Sequence, residues 1–196
     1  MSRPHAVAIT GGIGAGKSEA LAAFARHGAA TMSSDEVVHR LLAEDEEVRD
    51  ALHQRFGDAI LDESGHVDRS AIAEIVFHDR DSLDWLERLL HPRVQREYMA
   101  WREQLARLPE PPAVCVTEVP LLYEVGADER FDSVVVITAP SEVRAARAKR
   151  WSKEPREQRL LPDEEKVAEA DFAYVNDGTL EELDSFVAGV MRDLEA

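Results

Sequence analysis

The chain of 196 residues has one cysteine and lacks any apolar run long enough to cross a membrane. A single cysteine cannot form a disulfide within one chain, which suits a reducing compartment. Its place in the apolar segment 113–116 favours a small core residue over a reactive thiol. The first residues run directly into a predicted strand, so we expect no signal peptide. These absences predict a cytoplasmic protein with no membrane partner.

Positive charge is also scarce, because 23 lysines and arginines stand against 39 acidic residues and leave a net charge of -16. This balance argues against a general nucleic-acid binder. The hydrophobic content of 44% is typical of a globular protein, and the length suits one domain with an inserted subdomain. A site for an anionic ligand must therefore be locally basic.

Residues 144–159 reverse this balance, with seven basic residues and only two acidic ones. Arg147 and Arg150 are one helical step apart and share a face. Arginines that close over ATP neutralise the charge that develops on a transferred phosphoryl group. A solvated helix face is the alternative, but the contrast with the acidic remainder of the chain favours a functional run.

A phosphate-binding loop with the pattern G-x-x-x-x-G-K-S occupies residues 11–18. A strand is predicted before it and a helix after it, which is the context this motif requires. Its glycines let backbone N–H groups approach a phosphate, and the following helix points its positive end at the same anion. Lys17 reaches the β- and γ-phosphates, and the Ser18 hydroxyl is a ligand for Mg²⁺. The sequence therefore predicts a site for a nucleoside triphosphate.

Strands alternate with helices along much of the chain, which predicts an α/β fold with a parallel sheet flanked by helices. Residues 35–108 instead read as helices, one over 82–90 and a longer one that starts with Pro92 at its first position. This block is too long for one crossover and predicts a helical insertion beside the nucleotide site. We therefore expect a core of residues 1–34 and 112–196, an insertion over 35–111 and a lid over about 144–162.

Two acidic residues follow predicted strands at the edge of the sheet where α/β proteins bind ligands. Asp35 is placed to accept a proton from a hydroxyl that attacks the γ-phosphate, although a helix cap explains it equally well. Glu118 ends the strand 113–118, where an acid holds Mg²⁺ directly or through water in phosphate-loop proteins. Exposed acids at strand ends are common, so this second assignment rests on position alone.

The chain resembles the dephospho-coenzyme A kinase family over nearly its whole length. The resemblance rests on the phosphate loop, on Ser33-Ser34-Asp35, and on several short segments further along. These include Val67-Asp68-Arg69, Leu89-Leu90-His91-Pro92, Val119-Pro120-Leu121-Leu122-Tyr123-Glu124, Glu165-Lys166, Ala170-Asp171 and Asn176-Asp177-Gly178. The family usually carries Asp-Ala-Asp where this chain has Ser33-Ser34-Asp35, so its first acid is a serine here.

The resemblance implies a nucleotide-binding core, a helical subdomain over the coenzyme A precursor, and a lid that bears arginines. It implies transfer of the γ-phosphoryl group of ATP to the ribose 3′-hydroxyl of dephospho-coenzyme A with Mg²⁺, by a monomer or weak homo-oligomer. Asp35 then becomes the base, and Arg147 becomes the lid arginine. The other implied contacts fall into three groups. Phosphates meet Gly12, Ile13, Gly14, Ala15, Gly16, Lys17 and Ser18; adenine lies beside Asn176 and Gly178; and the acceptor lies beside His91, Leu121 and Leu122.

Two other functions fit the phosphate loop. A nucleoside or nucleotide kinase of the same architecture should carry a base-recognition motif in the insertion, and none is evident. A regulatory NTPase that uses the nucleotide as a switch is the second alternative, although the Asn-Lys-x-Asp motif for guanine is absent.

Overall fold

The computed structural model describes residues 3–148 and 160–195 of the chain. It divides into two compact units. The first consists of Met1–Ser34 and Arg102–Ala196, and the second is Asp35–Trp101.

A parallel sheet of five strands forms the centre of the first unit, in the order β2-β3-β1-β4-β5. The strands are β1 (His5–Thr10), β2 (Ala30–Ser33), β3 (Val114–Glu118), β4 (Ser133–Thr138) and β5 (Phe172–Val175). Parallel neighbours need crossover connections, and helices supply several of these here. The predicted parallel α/β architecture is therefore confirmed.

Two apolar clusters bury the two faces of this sheet. Val7 and Ile9 of β1 point into one cluster, which contains residues of the flanking helices α1 (Lys17–Arg26) and α8 (Leu180–Glu195). Ala8, between them, points into the other cluster with Val134 and Val136 of β4. Burial on both faces explains the continuous apolar run of β4.

Two further short α-helices lie in the described part of the first unit, α6 (Ser141–Ala148) and α7 (Asp163–Glu169). Residues 149–159, which include Arg150 and much of the predicted lid, lie outside the described residues. Lone Cys115 is buried in β3, and burial raises the pKa of its thiol, so it behaves as a core residue as predicted.

The second unit is helical. Its helices are α2 (Ser34–Glu44, which begins one residue before the unit), α3 (Glu46–Phe56), α4 (Arg69–His78) and most of α5 (Arg80–Ala106). The side chains of Asp45 and Asp68 cap α3 and α4 by accepting hydrogen bonds from backbone N–H groups of the first turn. Gly57 ends α3 at a positive φ of 69°, a conformation that glycine adopts without strain.

Helix α5 corrects the prediction of two helices around residues 90–92, because it runs unbroken through Pro92 for 27 residues. A proline inside a helix removes one hydrogen bond and costs about 3 kcal/mol. Leu90 and Tyr98 are buried on either side of it, so packing outweighs this cost. The Arg93 guanidinium also donates to the Leu89 carbonyl oxygen at 2.9 Å. His91, which the resemblance places beside the acceptor, is exposed in mid-helix.

None of the helices in the described part of the chain combines the length and apolarity needed to cross a bilayer.

Candidate active site

The phosphate-binding loop connects β1 to α1 at the carboxyl edge of the sheet. Gly16 precedes α1 with a φ of 100°, a left-handed conformation that an L side chain adopts only with strain. A Cβ at this position would also collide with the side-chain amide of Asn176. The loop therefore needs glycine here for both its turn and its packing.

Lys17 is nearly buried, and its Nζ donates to the carbonyl oxygen of Gly12 at 3.0 Å. The side chain therefore folds back over the loop that it follows in sequence. This position holds a positive charge above the backbone N–H groups that would receive a phosphate. A cation held here suits the β- and γ-phosphates of a nucleotide.

Ser18 and Glu118 meet at the start of α1 and the end of β3. The Ser18 hydroxyl donates to the two carboxylate oxygens of Glu118 at 3.2 and 3.5 Å. Glu118 is only 6% exposed, so this carboxylate is held against the loop rather than in solvent. Hard oxygen donors of this kind fit Mg²⁺, which usually takes few protein ligands and completes its shell with water and phosphate oxygens. No group of three or more metal-binding side chains occurs among the residues that the structure describes.

Asn176 and Arg147 both contact backbone carbonyl oxygens of the phosphate-binding loop. The buried Asn176 side chain donates to the Ala15 carbonyl oxygen at 2.8 Å, and its backbone N–H donates to Thr138. Arg147 Nη1 lies 3.2 Å from the Asn176 carbonyl oxygen and 3.5 Å from those of Gly14 and Ala15. The family resemblance places Asn176 beside adenine, but its contact with the loop 161 residues earlier gives no local signal in the sequence.

Two ion pairs connect α7 to the rest of this unit. Arg144 Nη1 lies 3.8 Å from a carboxylate oxygen of Asp163. Lys166, with a fully buried side chain, lies 2.7 Å from Oε1 of Glu124 in the loop after β3. That oxygen also accepts the backbone N–H of Leu161 at 2.9 Å. The sequence gives Glu124 and Lys166 only as members of the family motifs, since nothing in their spacing predicts the pair.

Tyr123, which precedes Glu124 in the chain, has a shifted pKa. Burial raises the pKa of Tyr123 to about 12, and the nearby charges of Asp128, Asp171 and Glu169 act in the same direction. Its hydroxyl is buried without a hydrogen-bond partner in the described part of the chain. Tyr123 therefore remains neutral at physiological pH.

Asp35 is exposed in the first turn of α2, which begins at Ser34. It therefore lies within the helix rather than at the cap that the sequence also allowed. The preceding strand β2 pairs with β3 so that Ser33 stands opposite Glu118. Asp35 thus follows the end of β2, at the carboxyl edge of the sheet, by two residues. The role of Asp35 as a base stays a prediction.

The residues expected at the acceptor and adenine differ in exposure. Leu122 is fully buried in the cluster with Ala8 and Val134. Leu121 is half-buried, and His91 and Gly178 are exposed. All four assignments stay predictions.

The fold and the site together define a class. A parallel sheet carries a glycine-rich loop, a lysine folded over it, and a serine paired with a strand-end carboxylate. This combination defines a phosphate-loop nucleotide-binding protein.

Comparison with known proteins narrows this class to one family. The model of the dephospho-CoA kinase family matches residues 5–182. The dephospho-CoA kinase of Chlorobaculum tepidum is 36% identical over 97% of this chain and 95% of its own length. That of Aquifex aeolicus is 33% identical over 96% of each. The chain belongs to the dephospho-CoA kinase family, whose members are ATP-dependent kinases.

Solved structures agree with this fold. A crystal structure from Thermus thermophilus has a TM-score of 0.77 at 33% identity and covers 98% of this chain and 99% of its own. The dephospho-CoA kinase of Campylobacter jejuni has a TM-score of 0.70 at 24% identity, with 96% of each chain covered.

Proposed function

We propose that this protein transfers the γ-phosphoryl group of ATP to the ribose 3′-hydroxyl of dephospho-coenzyme A, giving coenzyme A and ADP. This is the last step of coenzyme A biosynthesis. The observation that carries the proposal is the family match over residues 5–182, which include nearly all of both compact units. We expect the enzyme to act in the cytoplasm as a monomer or weak homo-oligomer.

The phosphate-binding loop and its neighbours account for the proposed binding of ATP and Mg²⁺. Backbone N–H groups of residues 12–18 would bind the phosphates of ATP, and Lys17 would neutralise charge at the γ-phosphate. Ser18 and Glu118 would hold Mg²⁺, which supplies further neutralisation when it is bound. Asn176 and Gly178 would lie beside adenine, and Arg147 would hold the loop and face the phosphoryl group.

The acceptor side is proposed to involve the second unit, Asp35–Trp101, as the cover for the coenzyme A precursor. His91, Leu121 and Leu122 would contact the acceptor. Asp35 would accept the proton of the attacking 3′-hydroxyl, because a carboxylate at the carboxyl edge of an α/β sheet is placed where ligands bind.

A panel of acceptors tests this function directly. ADP release is measured by a coupled assay with ATP, Mg²⁺ and dephospho-coenzyme A, AMP, adenosine or no acceptor. Dephospho-coenzyme A should give the highest kcat/KM, and mass spectrometry of the product should show one added phosphoryl group. Faster turnover of AMP or adenosine would assign the protein to the nucleoside and nucleotide kinases. A rate of ADP release that is the same with and without each acceptor would indicate a regulatory NTPase.

Asp35→Asn tests the assignment of the base. It should lower kcat with dephospho-coenzyme A by roughly 10²-fold or more, because general bases contribute about this much, and it should leave ATP affinity unchanged. Glu36→Gln removes an acid from the same helix turn and is the matched control, with kcat expected to stay near wild type. If the kcat of Asp35→Asn stays as close to wild type as that of Glu36→Gln, Asp35 is only a charged residue at the start of α2. Glu118 would then be tested as the base.

A further inference from the structure

Arg144 lies directly against the phosphate-binding loop, although the motif does not include it. A Cβ on Gly12 would collide with its guanidinium, and a Cβ on Gly14 would lie 2.8 Å from its backbone carbonyl oxygen. Gly14 is therefore needed in part because the Arg144 backbone occupies the adjacent space, whereas Gly12 leaves room for the end of the Arg144 side chain. Its side chain is only 23% exposed, so the charge is held at the loop rather than in solvent.

The hydrogen bonding of this guanidinium is incomplete. Its Nε is buried and has no hydrogen-bond partner in the described ranges 3–148 and 160–195. The neighbouring carboxylate of Asp163 lies 3.8 Å from Nη1, which is an ion pair beyond hydrogen-bond distance. Leaving a buried charged donor unsatisfied is costly, and an anionic oxygen placed over the loop would satisfy it.

Arg147, three residues later, has a different environment. Its Nη1 lies within hydrogen-bond distance of three backbone carbonyl oxygens, those of Gly14, Ala15 and Asn176. These contacts hold the loop and the turn after β5 together. Of these two arginines on α6, Arg147 is engaged with backbone, whereas Arg144 offers donors at the loop surface.

We propose that Arg144 contacts the phosphate groups of bound ATP above Gly12, and that Asp163 is the positioning residue that holds its guanidinium there. The inference rests on the proposed function only for the identity of the reaction, since binding of ATP can be measured alone. The guanidinium is planar and always charged, and it matches the oxygens of a phosphate with paired donors. Asp163 contributes the opposite charge from the first turn of α7 without using those donors.

Calorimetric binding of ATP, ADP and AMP to the full chain tests the phosphate contact. Arg144→Ala should weaken ATP binding by about 10- to 100-fold, the effect of losing a charge-assisted hydrogen bond, with a smaller loss for ADP and little for AMP. Arg144→Lys should recover part of the loss, because it keeps the charge without the paired donors. Arg107→Ala removes an exposed arginine elsewhere and is the control. Equal losses for the three nucleotides, or no loss, would overturn the proposal.

A double mutant separates this role from a purely structural ion pair. Arg144→Ala is also made in an Asp163→Asn background, and melting temperatures confirm that each variant folds. A phosphate contact requires that Arg144→Ala still weaken ATP binding when Asp163 is already neutral. If the effect disappears in that background while Asp163→Asn alone leaves ATP binding unchanged, Arg144 acts only by neutralising Asp163 and the proposal fails.

Turnover distinguishes this inference from the proposed function. A wild-type protein that binds ATP through Arg144 but does not phosphorylate dephospho-coenzyme A would overturn the function and leave the contact standing. Normal phosphorylation together with ATP binding that is insensitive to Arg144 would overturn the contact alone.

Discussion

The phosphate-binding loop and the region around α7 hold charge in two different ways. The loop is built from backbone, and its shape depends on Gly16 at positive φ and on hydrogen bonds to carbonyl oxygens of the loop itself. The region around α7 is built from side chains, with the buried Lys166 paired to Glu124. Lys17 in the loop is placed to serve a ligand, whereas Lys166 neutralises a buried acid. Replacing Lys17 should therefore lower turnover with little loss of stability, whereas replacing Lys166 should lower the stability of the fold.

Lys17→Met should give the largest effect of the variants considered for this comparison. The methionine keeps most of the volume but not the charge, so turnover should fall by ~10³-fold or more, as for other charge-neutralising groups in phosphoryl transfer. The melting temperature should stay within a few degrees, since the side chain folds back over the phosphate-binding loop, where its Nζ donates to the Gly12 carbonyl oxygen, rather than into an apolar cluster. ADP release and differential scanning calorimetry provide the two readouts. Turnover near wild type would contradict the assignment of the loop.

Lys166→Met makes the matched substitution in the other region. It leaves the Glu124 carboxylate buried without its partner, which should cost about 3–5 kcal/mol of unfolding free energy. For a chain of this size that corresponds to a fall in melting temperature of about 6–20 °C.

The double variant Lys166→Met/Glu124→Leu is the control for the buried pair. It removes both charges and should recover much of the lost stability, because an apolar pair has no desolvation penalty. Urea denaturation measures all three proteins. A single variant as stable as the wild type would mean that the pair is solvated, and the contrast between the two lysines would then disappear.

The two regions also differ in how well the sequence predicts them. The phosphate loop is contiguous, so one short motif fixes its backbone, its lysine and its serine, and the continuous apolar run of β4 predicts a strand buried on both faces. Asn176 is paired with Ala15 and Lys166 with Glu124 across 161 and 42 residues of chain, and no local pattern encodes such pairs. The prediction at Pro92 is wrong for the opposite reason. The local preference of proline for the first position of a helix predicts a helix start there, but burial of Leu90 and Tyr98 keeps α5 continuous. Local backbone chemistry is readable from sequence, whereas partners distant in sequence require the fold.

Asn176→Ala sharpens the comparison, because this side chain connects the loop to the end of β5. Among the residues that the structure describes, loss of its hydrogen bond leaves the buried Ala15 carbonyl oxygen with the 3.5 Å contact from Arg147. We expect a loss of about 1–3 kcal/mol in unfolding free energy and a rise of several-fold in the KM for ATP. Asp177→Ala alters the exposed neighbouring residue and should change neither quantity. A stability loss without any change in KM would show that loop geometry does not depend on this contact.

The smallest expected effect lies outside both regions, where Asp184 of α8 contacts the end of α1. Hydrogen bonds from Arg26 and His27 lower the pKa of Asp184 from its ordinary value of 3.8, with the Arg26 contact the larger cause. A depressed carboxyl pKa means that the unfolded chain binds the proton first, so the contribution to stability is present above pH 3.8 and is lost as the pH falls through the lower folded pKa. Asp184→Asn should therefore be slightly less stable than the wild type at pH 7, and the gap should narrow below pH 4. Asp193→Asn, on the same helix without a described partner, controls for the change in net charge. Urea midpoints for the three proteins between pH 7 and pH 3 measure the gap, and a difference that stays constant across this range would exclude the linkage to Arg26 and His27.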